Sequence, residues 1–503
     1  MIQPVKARVP QGVAFLTLLL LISATSSEAS GAPFFQTGVL YLSRKEYSRA
    51  VLSFQAVLER GDQHSAHLRL AEAYLARKDF DLAREQLGWA IARNATDPRA
   101  LIMMGDLEAG VGNGPAAVTR WRGPCQAAPG LPQACGRIAR LYFDQGQLDL
   151  AEKGYQDLIA RHQESYEAQE AHYYLGLLLA QRSPPSAAAH LREAARRADA
   201  RLKSLADRAL EEFPKAWDAE EPAYQAALLG KAYLKHVFEA GYPAPGALHL
   251  ARDRFEKARE LNPGYTDALA YLGYTLWRQG QLDEAAECLK KTISLDPGQA
   301  LAHYFLGLVF RSQGKADLAV GEFQEALRQD PENPAFHADL GKAFSLLRDY
   351  NAALASMEKA AALAPDDPEI LKQSAQFYLD HLLRPDQALA LANRVVALAP
   401  QDAQGLELLG WASYLNRDSP GARAWLEKAG SLQPELASAH YHLAVVLEHT
   451  GPKQEAWPHY LQAKDLDGGG YYGKLAATAL ERLAQEDPEL GPVIGRYLEK
   501  HRW

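Results

Sequence analysis

Between residues 31 and 470 the chain repeats itself at a step of about 34 residues, and this periodicity limits the fold more than any other feature. Leu269, Leu272, Gly273, Gly280, Ala285, Leu289 and Pro297 mark one unit. His303, Leu306, Gly307, Gly314, Ala319, Phe323 and Pro331 mark the next, and His337, Leu340, Gly341, Ala353, Met357 and Pro365 the one after. Inside a unit the apolar residues fall at i, i+3, i+4 and i+7, which is one face of a helix. A polar turn divides the unit and Pro closes it. The pattern therefore predicts two antiparallel helices per unit. One such pair cannot bury both of its faces, so the core must come from stacking neighbours.

Twelve units start at Gly31, His64, Pro98, Pro132, Gln169, Ala223, Thr266, Ala300, Pro334, Pro368, Ala403 and Ala437. The eighth position is Gly or Ala in every unit, and the twentieth is always Ala, with small length shifts in units five, six and ten. Small residues there let two helix axes approach, and a large side chain would overpack the crossing by about 1–3 kcal/mol.

This pattern resembles the tetratricopeptide repeat family over about residues 31–470. One departure is clear: no unit carries Trp at position four, and five carry His there, namely His67, His172, His303, His337 and His440. The resemblance implies an all-α fold, a right-handed α-solenoid of about twelve helix-turn-helix units with capping helices. It also implies a non-catalytic scaffold that holds a partner segment in the concave face of the superhelix.

The organisation expected is a signal peptide at 1–29, a five-repeat block at 30–197, a capping helix at 198–222, a seven-repeat block at 223–470 and capping helices at 471–503. Lys6 and Arg8 precede the apolar run Val13–Ile22, and cleavage is placed after Ala29. The run is shorter than the ~20 residues that span a bilayer, although an uncleaved anchor is the other reading. Residues Asp199–Phe213 read as an extra amphipathic helix, followed by Pro214 and Pro222. Its Leu205, Ala206, Ala209 and Leu210 match Leu475, Ala476, Ala479 and Leu480, so each block ends on a similar cap. Either a hinge near Pro214–Pro222 or a kink in a continuous superhelix follows. A Gly/Pro-rich insertion at 241–246 lengthens the turn of unit six.

Composition removes several function classes. Three Cys in 503 residues exclude a disulfide-dense scaffold or Cys-rich zinc modules. A net charge of −8 argues against nucleic acid as the main ligand. No nucleophile, base and orienting group stand at motif spacing, and repeats and caps leave no segment for a catalytic domain, so no enzyme activity and no cofactor are expected. Gly468–Lys474 nearly matches a phosphate loop, but Leu475 stands where Ser or Thr is needed and a helix precedes it, so a Gly-rich link is the better reading. The position-four histidines lie a helix diameter apart in successive units, too far for metal bonds of about 2 Å. Cys125 and Cys135 sit at the end of one helix and the start of the next; they form either a disulfide in an oxidising compartment or two small packing residues. Arg192, Arg196, Arg197, Arg201 and Lys203 read as a solvated basic face rather than an anion site.

The family's groove positions place Tyr173, Tyr174, Tyr271, Tyr274, Tyr304, Phe305, Trp411 and Tyr441 as partner-binding candidates, with about half of them exposed. Tyr and Trp dominate binding hot spots. The Lys/Asn clamp for C-terminal carboxylates is missing; Asp267, Asp339 and Lys342 stand in that region. Two functions are carried forward. One is an extracytoplasmic scaffold for a protein partner in an envelope or secretion assembly. The other is an accessory of envelope polysaccharide export or secretion with an aromatic, glycan-contacting groove. Neither requires membrane contact, and the place of action expected is periplasmic or extracellular.

Overall fold

The computed structural model describes residues 32–61, 64–127, 130–197, 199–237, 245–488, 490–492 and 494. The signal segment expected at 1–29 lies outside the described residues, as does most of the 241–246 insertion. The described residues form 26 α-helices and no strands, an all-α fold of stacked helix pairs. Each predicted unit is one helix pair, from Ala32–Ser43 with Tyr47–Leu58 to Ala437–Thr450 with Lys453–Asp467. The helices Ala200–Trp217 and Tyr471–Glu486 lie outside the pairs, after repeats five and twelve, where caps are expected.

The two invariant small positions do what their size allows. A Cβ on Gly307 would stand 2.6 Å from the Phe323 ring, and one on Gly273 would stand 2.4 Å from Leu289. The Ala at position twenty is fully buried, as at Ala285, Ala319 and Ala353. In nine of the pairs the chain reverses between the two helices through one left-handed residue. Glycines 112, 146, 280 and 314 take it freely, whereas Lys45, Lys78, Arg348, Leu383 and Arg417 take it with a side chain, at φ 51° to 68°.

The length shift in unit ten has a visible cause. After Pro368–Phe377 the extra residue is taken up as a π-turn over Tyr378–Leu382, and Leu383 then turns the chain.

The missing Trp is replaced by a polar staple. His303 Nδ1 lies 2.7 Å from Glu322 Oε2 on the second helix of its pair, and Nε2 lies 3.2 Å from the Pro297 carbonyl of the preceding loop. His337 reaches the Pro331 carbonyl in the same way, and His440 reaches Pro434. In these three repeats one ring ties the unit to the end of its predecessor.

Contacts divide the chain into two compact units, Met1–Ala95 with Pro365–Trp503, and Thr96–Ala364. The break expected at 198–222 lies inside the second. There Ala200–Trp217 buries Leu202, Leu205, Ala206, Ala209 and Phe213 between repeats five and six. Trp217 Nε1 donates to the Ala180 carbonyl at 2.8 Å. In the first unit, Tyr471–Glu486 buries Ala476, Ala479, Leu480 and Leu483 in the same manner.

Candidate functional site

Neighbouring first helices are joined by a recurring polar register. In the second unit Tyr304 Oη donates to Asp339 Oδ2 at 2.6 Å, and Trp277 Nε1 donates to Ser312 Oγ at 2.8 Å. In the first unit Glu407 Oε1 lies 2.5 Å from His442 Nδ1, and Tyr414 Oη lies 3.0 Å from His449 Nδ1. Each pair spans 35 residues, from position five to position six of the next repeat, or from twelve to thirteen. Solenoid stacking alone brings these side chains together.

The Tyr304 pair is the centre of a charged knot. Asp339 accepts from Arg311 at 2.5 Å and from Lys342 at 3.2 Å. Burial would raise the Asp339 carboxyl, but Arg311, Lys342 and the Tyr304 hydroxyl outweigh it and hold it below the usual range. Burial and the Asp339 charge push the Tyr304 phenol up. The knot fixes the Tyr304 ring, which stacks on Phe336 with centroids 4.5 Å apart.

The eight candidate residues separate by burial. Tyr271, Tyr274, Tyr304, Trp411 and Tyr441 are half-buried, and Tyr173, Tyr174 and Phe305 are core residues that can touch no partner. None is in the fully exposed class, against the expectation of about half. The reason at Tyr173 and Tyr174 is local to the second unit. Helix Pro222–Val237 brings His236 Nδ1 to 3.1 Å from the Tyr173 hydroxyl. Tyr174 stacks on Tyr155, meets Phe143 and bonds Arg140. Helix Pro245–Leu261 then reaches repeat four, where Gly246 N donates to Asp144 Oδ1 at 3.3 Å. The chain itself occupies that stretch of inner face.

Two aromatic faces remain. In the second unit Tyr271, Tyr274 and Tyr304 surround the buried Phe305, Trp277 lies against Tyr274, and Lys231 Nζ sits 4.6 Å over the Tyr271 ring. In the first unit Trp411 stacks on His442 at 4.1 Å, with Tyr414 beside it, and Tyr441 meets Tyr472. Tyr471, next in line, is 71% exposed. Sequence reasoning missed Trp277 and Tyr414, although both stand at groove position twelve. It could not reach Tyr471 and Tyr472, because they belong to a cap where the repeat template no longer applies.

The remaining motifs resolve plainly. Cys125 and Cys135 are bridged, with Cα atoms 5.0 Å apart. Cys288 is a free thiol whose pKa is raised by burial. In Gly468–Lys474 the Asp467 carboxylate accepts from Gly473 N at 3.0 Å, which puts negative charge where a phosphate would need donors. Arg196 is exposed and pairs with Glu193. Among the described residues no group of three or more His, Cys, Asp or Glu gathers as a metal site would, and no helix is long and apolar enough to cross a membrane.

The tetratricopeptide repeat profile matches residues 35–98, 137–201, 246–300, 272–334, 304–368 and 382–435, more than half of the chain. The chain therefore belongs to the tetratricopeptide repeat family, and it is a protein-interaction scaffold in class. A comparison with curated protein sequences gives no significant match. Among solved structures it resembles YrrB, described as a TPR protein with an unusual peptide-binding site, at 25% identity over 37% of this chain and 95% of that one, with a TM-score of 0.31. It resembles yeast Tom70 at 18% identity over 92% and 99%, TM-score 0.39. It also resembles the APC/C Cut9–Hcn1 hetero-tetramer at 14% identity over 94% and 99%, TM-score 0.41. At these scores the likenesses carry no functional inference.

Proposed function

We propose that this chain is a non-catalytic scaffold acting outside the cytoplasm, and that it holds extended segments of a partner protein on its two aromatic inner faces. The observation that carries the reading is the state of the rings. Tyr271, Tyr274, Trp277 and Tyr304 are half-buried and oriented by neighbours, not lost in the core. A ring so held loses little entropy on binding and offers an apolar face with a polar edge. The signal-like segment at 1–29 and the Cys125–Cys135 bridge support an extracytoplasmic setting, where disulfides persist.

The test is capture of partners by the full mature chain, starting at Ser30, against a Tyr274→Ala, Trp277→Ala variant. Loss of a defined partner with an unchanged melting curve supports the reading. Equal recovery by both proteins sinks the face of repeats seven to nine. Displacement by oligosaccharides but not by partner peptides would transfer the same rings to the glycan-contacting role. Mass measurement of the exported chain tests the place of action, with a start at Ser30 expected.

A further inference from the structure

Inside the first unit the two ends of the repeat array are packed on one another. Helix Tyr47–Leu58 of repeat one touches helix Lys453–Asp467 of repeat twelve. Glu46, Tyr47 and Arg49 share a narrow cleft with Pro458, Leu461 and Leu466. Charged groups run through the joint beside these apolar residues. Arg77 lies 3.5 Å from Asp465 and 3.0 Å from Asp79, and all three side chains are at most 5% exposed. Lys45 Nζ donates to Glu435 at 2.7 Å at the rim, and Gln462 Nε2 donates to the Lys45 carbonyl at 3.4 Å. On helix Tyr47–Leu58 the side chains of Val51, Phe54 and Val57 are fully buried, as are Trp457 and Leu461 on helix Lys453–Asp467.

In the second unit the stacking is apolar. One apolar cluster runs from Cys135 to Ala343 through successive repeats and the Ala200–Trp217 helix, and a smaller one holds Ala117, Trp121 and Ala134. The end joint adds a buried ion cluster, Arg77 with Asp79 and Asp465, to the contact. A repeat interface gains from the apolar area it hides. A buried ion pair gains little net, because desolvation offsets the Coulomb attraction, yet it tolerates no mismatch of charge. Burial raises the Asp79 carboxyl and lowers the neighbouring Lys464 ammonium, as expected where water is excluded.

We propose that this joint is a latch: the Arg77–Asp79–Asp465 cluster, with Lys45–Glu435 at its rim, holds the two ends of the array together in a contact that opens while every repeat stays folded. Opening uncovers the facing sides of Tyr47–Leu58 and Lys453–Asp467, two helix surfaces that the closed form hides. The latch is independent of which partner the aromatic faces hold.

The test places spin labels at Ser43→Cys and Ser431→Cys of the full mature chain, in a Cys288→Ser background, and reads the distance distribution. The parent should give one narrow, short distance. Asp465→Arg, which sets like charges against Arg77, should cut that population at least tenfold and replace it with longer distances. Arg77→Asp together with Asp465→Arg should restore it. A narrow distance that survives Asp465→Arg in a folded chain overturns the latch, and so does a parent with no short distance. If Asp465→Arg lowers the helix content, the rim pair decides: Lys45→Glu should broaden the distribution and Glu435→Lys should narrow it again, and no change with either overturns the proposal.

Discussion

Glu407 Oε1 lies 2.5 Å from Nδ1 of His442, with both side chains only 7% exposed, and the Trp411 ring covers the imidazole at 4.1 Å. The pair links repeat eleven to repeat twelve at their inner face. A buried polar pair of this kind is costly to break and cheap to replace as a whole. Glu407→Leu is expected to lower stability by about 1–3 kcal/mol, whereas Glu407→Leu with His442→Leu recovers most of the loss. Urea unfolding followed by Trp fluorescence and circular dichroism measures both. Equal losses in single and double variants would mean that the two residues act by packing alone.

The eighth position sets the helix crossing. Gly307→Ala places a methyl 2.6 Å from the Phe323 ring, so the pair must spread or the ring must shift. The expected loss is about 1–3 kcal/mol. The same substitution at Gly321, where a Cβ meets nothing within 4 Å, is expected to stabilise by up to about 1 kcal/mol through helix propensity. Thermal melts of the two variants, compared with the parent, separate packing from propensity.

The turn inside each repeat makes a prediction of opposite sign. Arg348 and Arg417 hold φ at 61° and 68°, where repeats seven and eight use Gly280 and Gly314. Both arginines are exposed, so their removal takes nothing from the core. Arg348→Gly and Arg417→Gly are each expected to stabilise by about 0.5–1 kcal/mol, the left-handed penalty less the entropy of the added glycine. Denaturant midpoints of the single variants check it.

Acid should weaken both units through buried histidines. His236 and His440 are lowered by burial from 6.5 to about 4. The unfolded chain therefore binds protons first as pH falls below 6.5. Stability is full above that value, drops towards pH 4 by at most about 1.4 kcal/mol per pH unit for each group, and levels off below. His236→Phe and His440→Phe should each flatten this slope whatever they do to stability at pH 7. Unfolding at pH 7.0, 5.5 and 4.5 gives the comparison, and parallel curves would count against the assignment.

Reduction of the Cys125–Cys135 bridge frees a short loop, with a sequence separation of 10. The expected loss is about 2–3 kcal/mol in the second unit. Melting with and without a thiol reductant, with Cys135→Ala as the matched control, measures it. The reductant should have no effect on the control.

Much of the fold was legible because a repeat states its rules many times. The small residues at positions eight and twenty, the turn and the closing Pro are enough to place every helix pair. The two helices outside the pairs also stood out, since Leu205–Leu210 and Leu475–Leu480 repeat one another. The site was less legible. Tyr173, Tyr174 and Tyr304 share the same template face, yet the first two are sealed in the core and the third is half-buried. The difference comes from His236 and Gly246, which arrive on helices from further along the chain: His236 is 63 residues from Tyr173, and Gly246 is 102 residues from Asp144.

What the sequence determined by itself is the part governed by local period: helix pairs, their order, the small crossing residues and the family. Tertiary structure alone decided which rings stay accessible, that His303, His337 and His440 staple their repeats to the previous loop, and that Arg77 meets Asp465 across the two ends of the array. The physical reason is that periodicity fixes each repeat against its immediate neighbour. A contact between repeats far apart in the chain is encoded by no single unit.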